Sequence, residues 1–170
     1  MIQNLYKRKT GATSGFTIIE VMIVLAIAGL IMLIVFLAVP ALQRNARNTQ
    51  RKNDVGAIAS GIANYIDNNG GTLPASVGGT APNLLICGAN CTTGNTETAK
   101  LGLYDPANVT VQTSATLPAA NADAVVIVLK DTCNATNTGV NAAGSSSRSA
   151  AIVYWTENGS GTPPTQCTEQ

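Results

Sequence analysis

Nineteen consecutive residues, Val21 to Val39, carry no charge and no strongly polar side chain. A helix needs roughly 20 such residues to cross a bilayer core, and the run is too long and too pure for the surface helix of a small globular protein. The stretch from Phe16 to Leu42 packs 23 of the chain's 77 hydrophobic residues into 27 positions, leaving 54 in the other 143, or about 38%. The chain therefore divides into an apolar helix and a polar, small-residue domain of roughly 100 residues, an ordinary domain size. That division does not fit a wholly cytosolic enzyme.

Composition excludes several chemistries. The sequence contains no histidine, so a Ser-His-Asp or Cys-His nucleophile, a His-liganded metal and an imidazole pH switch are all impossible. A formal net charge of +1 gives no general reason to expect a nucleic-acid partner. The four cysteines, Cys87, Cys91, Cys133 and Cys167, all lie downstream of the apolar run. In an exported domain an even set of this kind reads as two disulfides.

Ahead of the run, residues 1–15 carry Lys7, Arg8 and Lys9 with no acid and end in small residues. A secretory signal places its small-residue cleavage site after an apolar region of 7 to 15 residues. Here the order is reversed, and the apolar segment is about twice that length. Glu20 stands just inside the run, among Phe16, Ile18, Ile19, Val21 and Met22. Insertion of its carboxylate at bilayer centre would cost about 2.5 to 3.5 kcal/mol. Taken alone, Glu20 reads as an interfacial, solvated side chain.

Its neighbours read differently. The heptapeptide Gly15-Phe16-Thr17-Ile18-Ile19-Glu20-Val21, behind a basic leader, resembles the processing and assembly signature of type IV pilins and their relatives. The resemblance extends through Gly29 and Pro40 to about residue 74, with Pro40 a few residues later than in many pilins. It implies a prepilin peptidase that cuts between Gly15 and Phe16 and methylates Phe16. It further implies that Glu20 pairs with the Phe16 amine of a neighbouring subunit in a filament. The freed amine has a reference pKa near 7.7 to 8.0 and stays cationic after N-methylation. An unpaired charge buried in an apolar bundle costs several kcal/mol, so the pairing would set the register of assembly.

Arg44, Arg47, Arg51 and Lys52 follow the run closely, so basic residues flank both ends and a positive-inside count does not orient the chain. The cysteines and the resemblance place the C-terminal domain outside and the leader in the cytoplasm. The four cations read as a solvated juxtamembrane flank, without support for a role in holding lipid, acidic neighbours or DNA.

Val55, Ile58, Ile62 and Ile66 recur at spacings of three and four, with Ala59 and Tyr65 beside them, which predicts an amphipathic helix packed on a domain. Asn68-Asn69-Gly70-Gly71 and Pro74 end it. Unbroken from Phe16 to Asp67, such a helix of 52 residues would extend about 78 Å. Gly29 and Pro40 weaken it at two points. They describe either an ordinary kinked anchor or an interval that partly unwinds within a filament.

Residues 69–107 are rich in Gly, Pro, Asn and Thr and read as a connecting loop region. Strands are predicted at Val109 to Gln112, Ala124 to Lys130 and Ala150 to Thr156, forming a small antiparallel sheet against the Val55 to Ile66 stripe in an α+β fold. Asp131 to Ser149 reads as an exposed loop. If the last strand runs back across the sheet, about ten extended residues return Cys167 to Cys133, which pairs these two and leaves Cys87 with Cys91 by elimination. The larger loop resembles the disulfide-bounded region of type IV pilins.

Isolated acids, without an Asp-x-Asp run for calcium, give no catalytic site, metal or cofactor. The expected organisation is a cleaved leader (1–15), a transmembrane and filament-core helix (16–42), an amphipathic helix (43–68), the connecting region (69–107) and a sheet with its disulfide loop (108–170). The function expected is that of a non-enzymatic prepilin, held in the cytoplasmic membrane with its N-terminus inside and then polymerised into an extracellular homo-oligomeric filament. Its partners would be membrane lipid, the prepilin peptidase and methyltransferase, and a pilus assembly platform. Adhesion, twitching motility or DNA uptake would be the filament's task, with direct contact to nucleic acid left open. The alternatives are a pseudopilin of a type II secretion or competence apparatus, and an anchored extracellular binding domain that never polymerises.

Overall fold

The computed structural model describes residues 15–141, 144–159 and 161–170. The leader, except Gly15, lies outside the described residues. Two compact units divide at Pro40. In the first, residues 15–17 are not helical, and α1 begins at Ile18. The large side chains here are exposed, Phe16 at 89% and Phe36 at 77%. The most apolar 18-residue window of α1 has a mean hydropathy of 3.2, sufficient in length and composition to cross a membrane. Gly29 and Pro40 both lie inside α1, which runs from Ile18–Asn68 over 51 residues.

In the second unit, the C-terminal part of α1 buries Val55, Ile58, Ala59, Ile62 and Tyr65, the stripe that the three-and-four spacing predicts. The helix ends where glycine permits it. Gly70 adopts φ 66°, and the Gly71 N–H reaches back to the Ile66 carbonyl at 2.9 Å, closing the last turn with a left-handed residue that bulkier side chains disfavour.

Two sheets pack around this stripe. The first is an antiparallel meander of β1 (Ser76–Thr80), β2 (Asn83–Cys87) and β3 (Thr96–Lys100). It corrects the expectation of a connecting loop over 69–107. Only Leu84-Leu85-Ile86 in β2 carries an apolar strand signal, whereas β1 is SVGGT and β3 is TETAK. Helix and sheet approach closely at Gly61, where an added Cβ would lie 2.6 Å from Ile86 Cδ1.

The second sheet has the order β4 (Val109–Gln112), β5 (Val125–Leu129), β6 (Ala150–Trp155), β7 (Thr165–Glu169). The β5–β6 and β6–β7 pairs are antiparallel, but β4 runs parallel to β5, which corrects the expectation of antiparallel neighbours throughout. The crossover is made by residues 113–124 without a helix, a dozen residues being about the minimum for such a connection. β7, a polar edge strand, is absent from the strand signals of the sequence.

Alternation along the central strands assigns two cores. Val125, Ile127, Leu129, Ala150, Ile152 and Tyr154 face the helix and the first sheet. Val126, Val128, Ala151, Val153 and Trp155 pack on the opposite side, with Cys167 and Leu117. Burial on both faces explains why β5 reads as an unbroken apolar run.

Candidate functional site

Thr17 and Glu20 form the start of α1 together. The Thr17 backbone N–H donates to Glu20 Oε2 at 2.8 Å, the Thr17 hydroxyl donates to the same oxygen at 2.7 Å, and the Glu20 N–H donates to Thr17 Oγ1 at 3.3 Å. This reciprocal pattern is a capping box, in which two N–H groups without a helical partner are satisfied by the first and fourth residues of the turn. Helix formation therefore begins two residues after Phe16, and Gly15, Phe16 and Thr17 precede it outside helix and strand. A backbone in that state presents the Gly15–Phe16 bond outside regular structure.

Glu20 thus has a role that the charge-pairing argument does not include. The Thr-x-x-Glu spacing carries the signal, readable from the sequence as a helix start. Glu20 also borders an apolar groove of about 420 Å³ lined by Phe16, Val21, Val24 and Leu25. The carboxylate Oε1 has no hydrogen-bond partner among the described residues, so one oxygen caps the helix while the other is available to a cation.

A second constellation holds the helix to its domain. Arg51 is buried, 2% exposed, which corrects the reading of residues 44–52 as a uniformly solvated flank. Its Nε donates to the Ala122 carbonyl at 2.8 Å, and its Nη1 and Nη2 face Glu157 at 2.8 Å and Asp123 at 3.3 Å. Arg47 Nε donates to both Glu157 oxygens at 2.9 Å. The Asn48 side chain donates to the Glu157 carbonyl at 2.9 Å and accepts the Glu157 N–H at 2.8 Å. One helical face thereby grips the start of β5 and the end of β6.

Hydrogen bonding from Arg47, with Arg51 adding to it, holds the Glu157 carboxyl down to about 2, against an ordinary value of 4.5. A carboxyl depressed in the folded state stabilises fully above its unfolded pKa, and that contribution is lost as pH falls from about 4.5 toward 2. In urea unfolding of the full chain in detergent, the midpoint should fall across this window. Glu157→Gln should lower the midpoint at pH 7 and flatten its acid dependence. An unchanged slope in the variant would show that other groups set the acid response.

The Sγ atoms of Cys87 and Cys91 are bonded, as are those of Cys133 and Cys167, and no cysteine is free. The larger loop is braced further, since the Cys167 N–H donates to the Asn137 carbonyl at 2.8 Å and Cys133 bridges Val140. In a chain-entropy treatment the two links restrict the unfolded chain by about 2 and 4 kcal/mol. Among the described residues no group of three or more His, Cys, Asp or Glu side chains is placed to hold a metal ion.

Residues 12–36 match the family described as the prokaryotic N-terminal methylation motif. No curated protein and no solved structure matches the chain.

Proposed function

From the type IV prepilin signature at residues 12–36, we propose that the chain is a prepilin cut between Gly15 and Phe16, methylated on the Phe16 amine and polymerised through residues 16–42. The observation that carries this reading is a helix of exposed apolar side chains, interrupted by a carboxylate within one turn of the cleavage position. Before assembly the apolar surface is covered by lipid. Afterwards it is covered by the same helix of other copies, and Glu20 fixes the stagger by pairing with a neighbour's amine. Gly29 and Pro40 are the points at which the helix bends or loosens on packing. The disulfide-linked domain lies outside the cytoplasmic membrane, where oxidising conditions sustain both links. Adhesion, twitching motility or DNA uptake is the filament's task, served through an assembly platform.

The test is mass spectrometry of the chain recovered from membranes. The expected N-terminus is Phe16 carrying one added methyl group, whereas a chain that retains residues 1–15, or one cut after Leu42, removes the basis of the reading. Crosslinks between helices of adjacent copies separate a polymer from an anchored binding domain. Antibody labelling of surface filaments separates a pilin from a pseudopilin confined to the cell envelope.

A further inference from the structure

The bonds that Thr17 and Glu20 exchange do unequal work. Glu20 Oε2 accepts from the Thr17 N–H and hydroxyl, which ties the carboxylate to the chain ahead of the helix. The Thr17 hydroxyl in turn accepts the Glu20 N–H at 3.3 Å, and the Thr17 carbonyl accepts the Val21 N–H at 3.3 Å. Thr17 is thereby the N-cap, the position whose carbonyl already serves the helix while its own backbone stays out of helical geometry.

Nothing else on the page stops the helix there. Among the described residues, Gly15 and Phe16 make no hydrogen bond. Phe16 is exposed, a Cβ on Gly15 would meet no atom within 4 Å, and the sequence has no proline before Pro40. An apolar helix in lipid gains by carrying its backbone bonds as far as it can, because an unsatisfied polar group is costly there. The next capping hydroxyl upstream in the sequence is Ser14. A helix capped at that position would take Gly15 and Phe16 into its first turn, and the bond between them with it. A peptidase acts on backbone free of such structure, so its rate follows the population in which the bond is open.

We propose that Thr17 is a positioning residue for the cleavage: its hydroxyl stops α1 at Ile18 and so keeps the Gly15–Phe16 bond outside the helix for the prepilin peptidase. The inference rests on the reading of the chain as a prepilin and adds to it the residue that presents the bond. Glu20 has the lesser part, since Glu20→Ala keeps the backbone N–H that the hydroxyl accepts and should still be cut.

The experiment follows cleavage of the full chain in non-ionic detergent by a prepilin peptidase over a range of substrate concentrations, with the product identified by mass spectrometry. Thr17→Val keeps the branching of the side chain and loses the hydroxyl. The equilibrium between the two helix starts should move about fivefold, which is about 1 kcal/mol at 1.4 kcal/mol per factor of ten. A closed fraction raises KM and leaves kcat alone, because bound substrate is drawn into the open form. Thr17→Val should therefore show a KM about three- to fivefold higher with kcat unchanged, and Thr17→Ser should behave as the wild type. In NMR spectra the Cα shifts of Gly15 and Phe16 should move toward helical values in Thr17→Val and stay in place in Thr17→Ser.

Ile18→Pro supplies the deciding variant. Proline fits the first helical position, where no N–H is needed, and it holds the preceding residue out of α geometry. The double variant Thr17→Val, Ile18→Pro should therefore regain the wild-type KM without a hydroxyl at residue 17, and Ile18→Pro alone should be cut normally. A double variant that stays slow means that the peptidase reads the hydroxyl itself, and overturns the proposal. So does a loss in kcat in place of KM, a Thr17→Val chain cut as fast as the wild type or with unmoved Cα shifts, or an Ile18→Pro chain cut poorly. A wild-type chain not cut between Gly15 and Phe16 sinks the prepilin reading and this inference together, whereas each of the other failures sinks the inference alone.

Discussion

Chains carrying Glu20→Gln or Glu20→Ala are expected to be cut after Gly15, to enter the membrane and then to fail at incorporation into filaments. In the proposed bundle the neighbour's Phe16 amine would be left buried without its carboxylate, at a cost of about 3 to 5 kcal/mol for each subunit joined. At 1.4 kcal/mol per factor of ten, incorporation should drop by about a hundredfold or more. The two substitutions divide the roles of Glu20. Glutamine keeps an oxygen for the Thr17 N–H and hydroxyl, so the capping box survives while the charge is removed. Alanine removes both and costs the helix start about 1 kcal/mol more. Filament yield, measured as sheared polymer against membrane-held subunit, should therefore be low in both variants. Hydrogen exchange at residues 18–21 should quicken only in Glu20→Ala. A Glu20→Gln chain that polymerised like the wild type would reduce Glu20 to a capping residue and remove the charge pair from the mechanism.

Asp54→Ala should strongly destabilise the second unit. Asp54 is 2% exposed. Its Oδ1 accepts from Gly102 N–H and Gln50 Nε2, each at 2.9 Å, and its Oδ2 accepts from Leu103 N–H at 2.8 Å and Tyr104 N–H at 3.0 Å. The carboxylate thus anchors three successive backbone donors in the turn after β3, and a side chain at Gly102 would collide with Gln50. Alanine strands the Tyr104 N–H in a buried site, at about 1 to 3 kcal/mol, whereas Gly102 and Leu103 are exposed and their N–H groups can turn to water. With the weaker loss at the two exposed donors added, the expected destabilisation is about 2 to 3 kcal/mol. Urea unfolding of the full chain in detergent should show a lower midpoint with little change in slope. Cleavage after Gly15 should be unaffected, because that bond lies in the other unit. A loss below about 1 kcal/mol would mean that the turn holds itself without Asp54.

How much of this was legible in the sequence depended on how far each interaction reaches along the chain. The apolar run, the Val55 to Ile66 stripe and the positions of β4, β5 and β6 follow from local periodicity, and Thr17-x-x-Glu20 was equally local. Both β3 and β7 escaped because edge strands exposed to water carry threonine, glutamate and lysine, which give no apolar alternation. The parallel pairing of β4 with β5 escaped because no helix marks the crossover. Arg51 looked like its solvated neighbours because the Ala122 carbonyl that receives it is 71 residues away. Asp54 was invisible for the same reason, its three backbone donors lying 48 to 50 residues on. A buried polar group is recognised by its partners, and periodicity cannot find partners across a fold.

The edge strands have a further consequence for any assembly of many copies. Unpaired strand edges invite neighbouring chains to continue a sheet, and the hazard grows when identical domains are crowded together. Here β3 carries Glu97 and Lys100 along its edge, and β7 is polar, ends at Glu169 and is tied through Cys167 to the Cys133 loop. Such edges resist fusion of one domain's sheet to the next. Along these two edges neighbouring domains gain no continuous sheet, and in the proposed filament they can part there without unzipping one another.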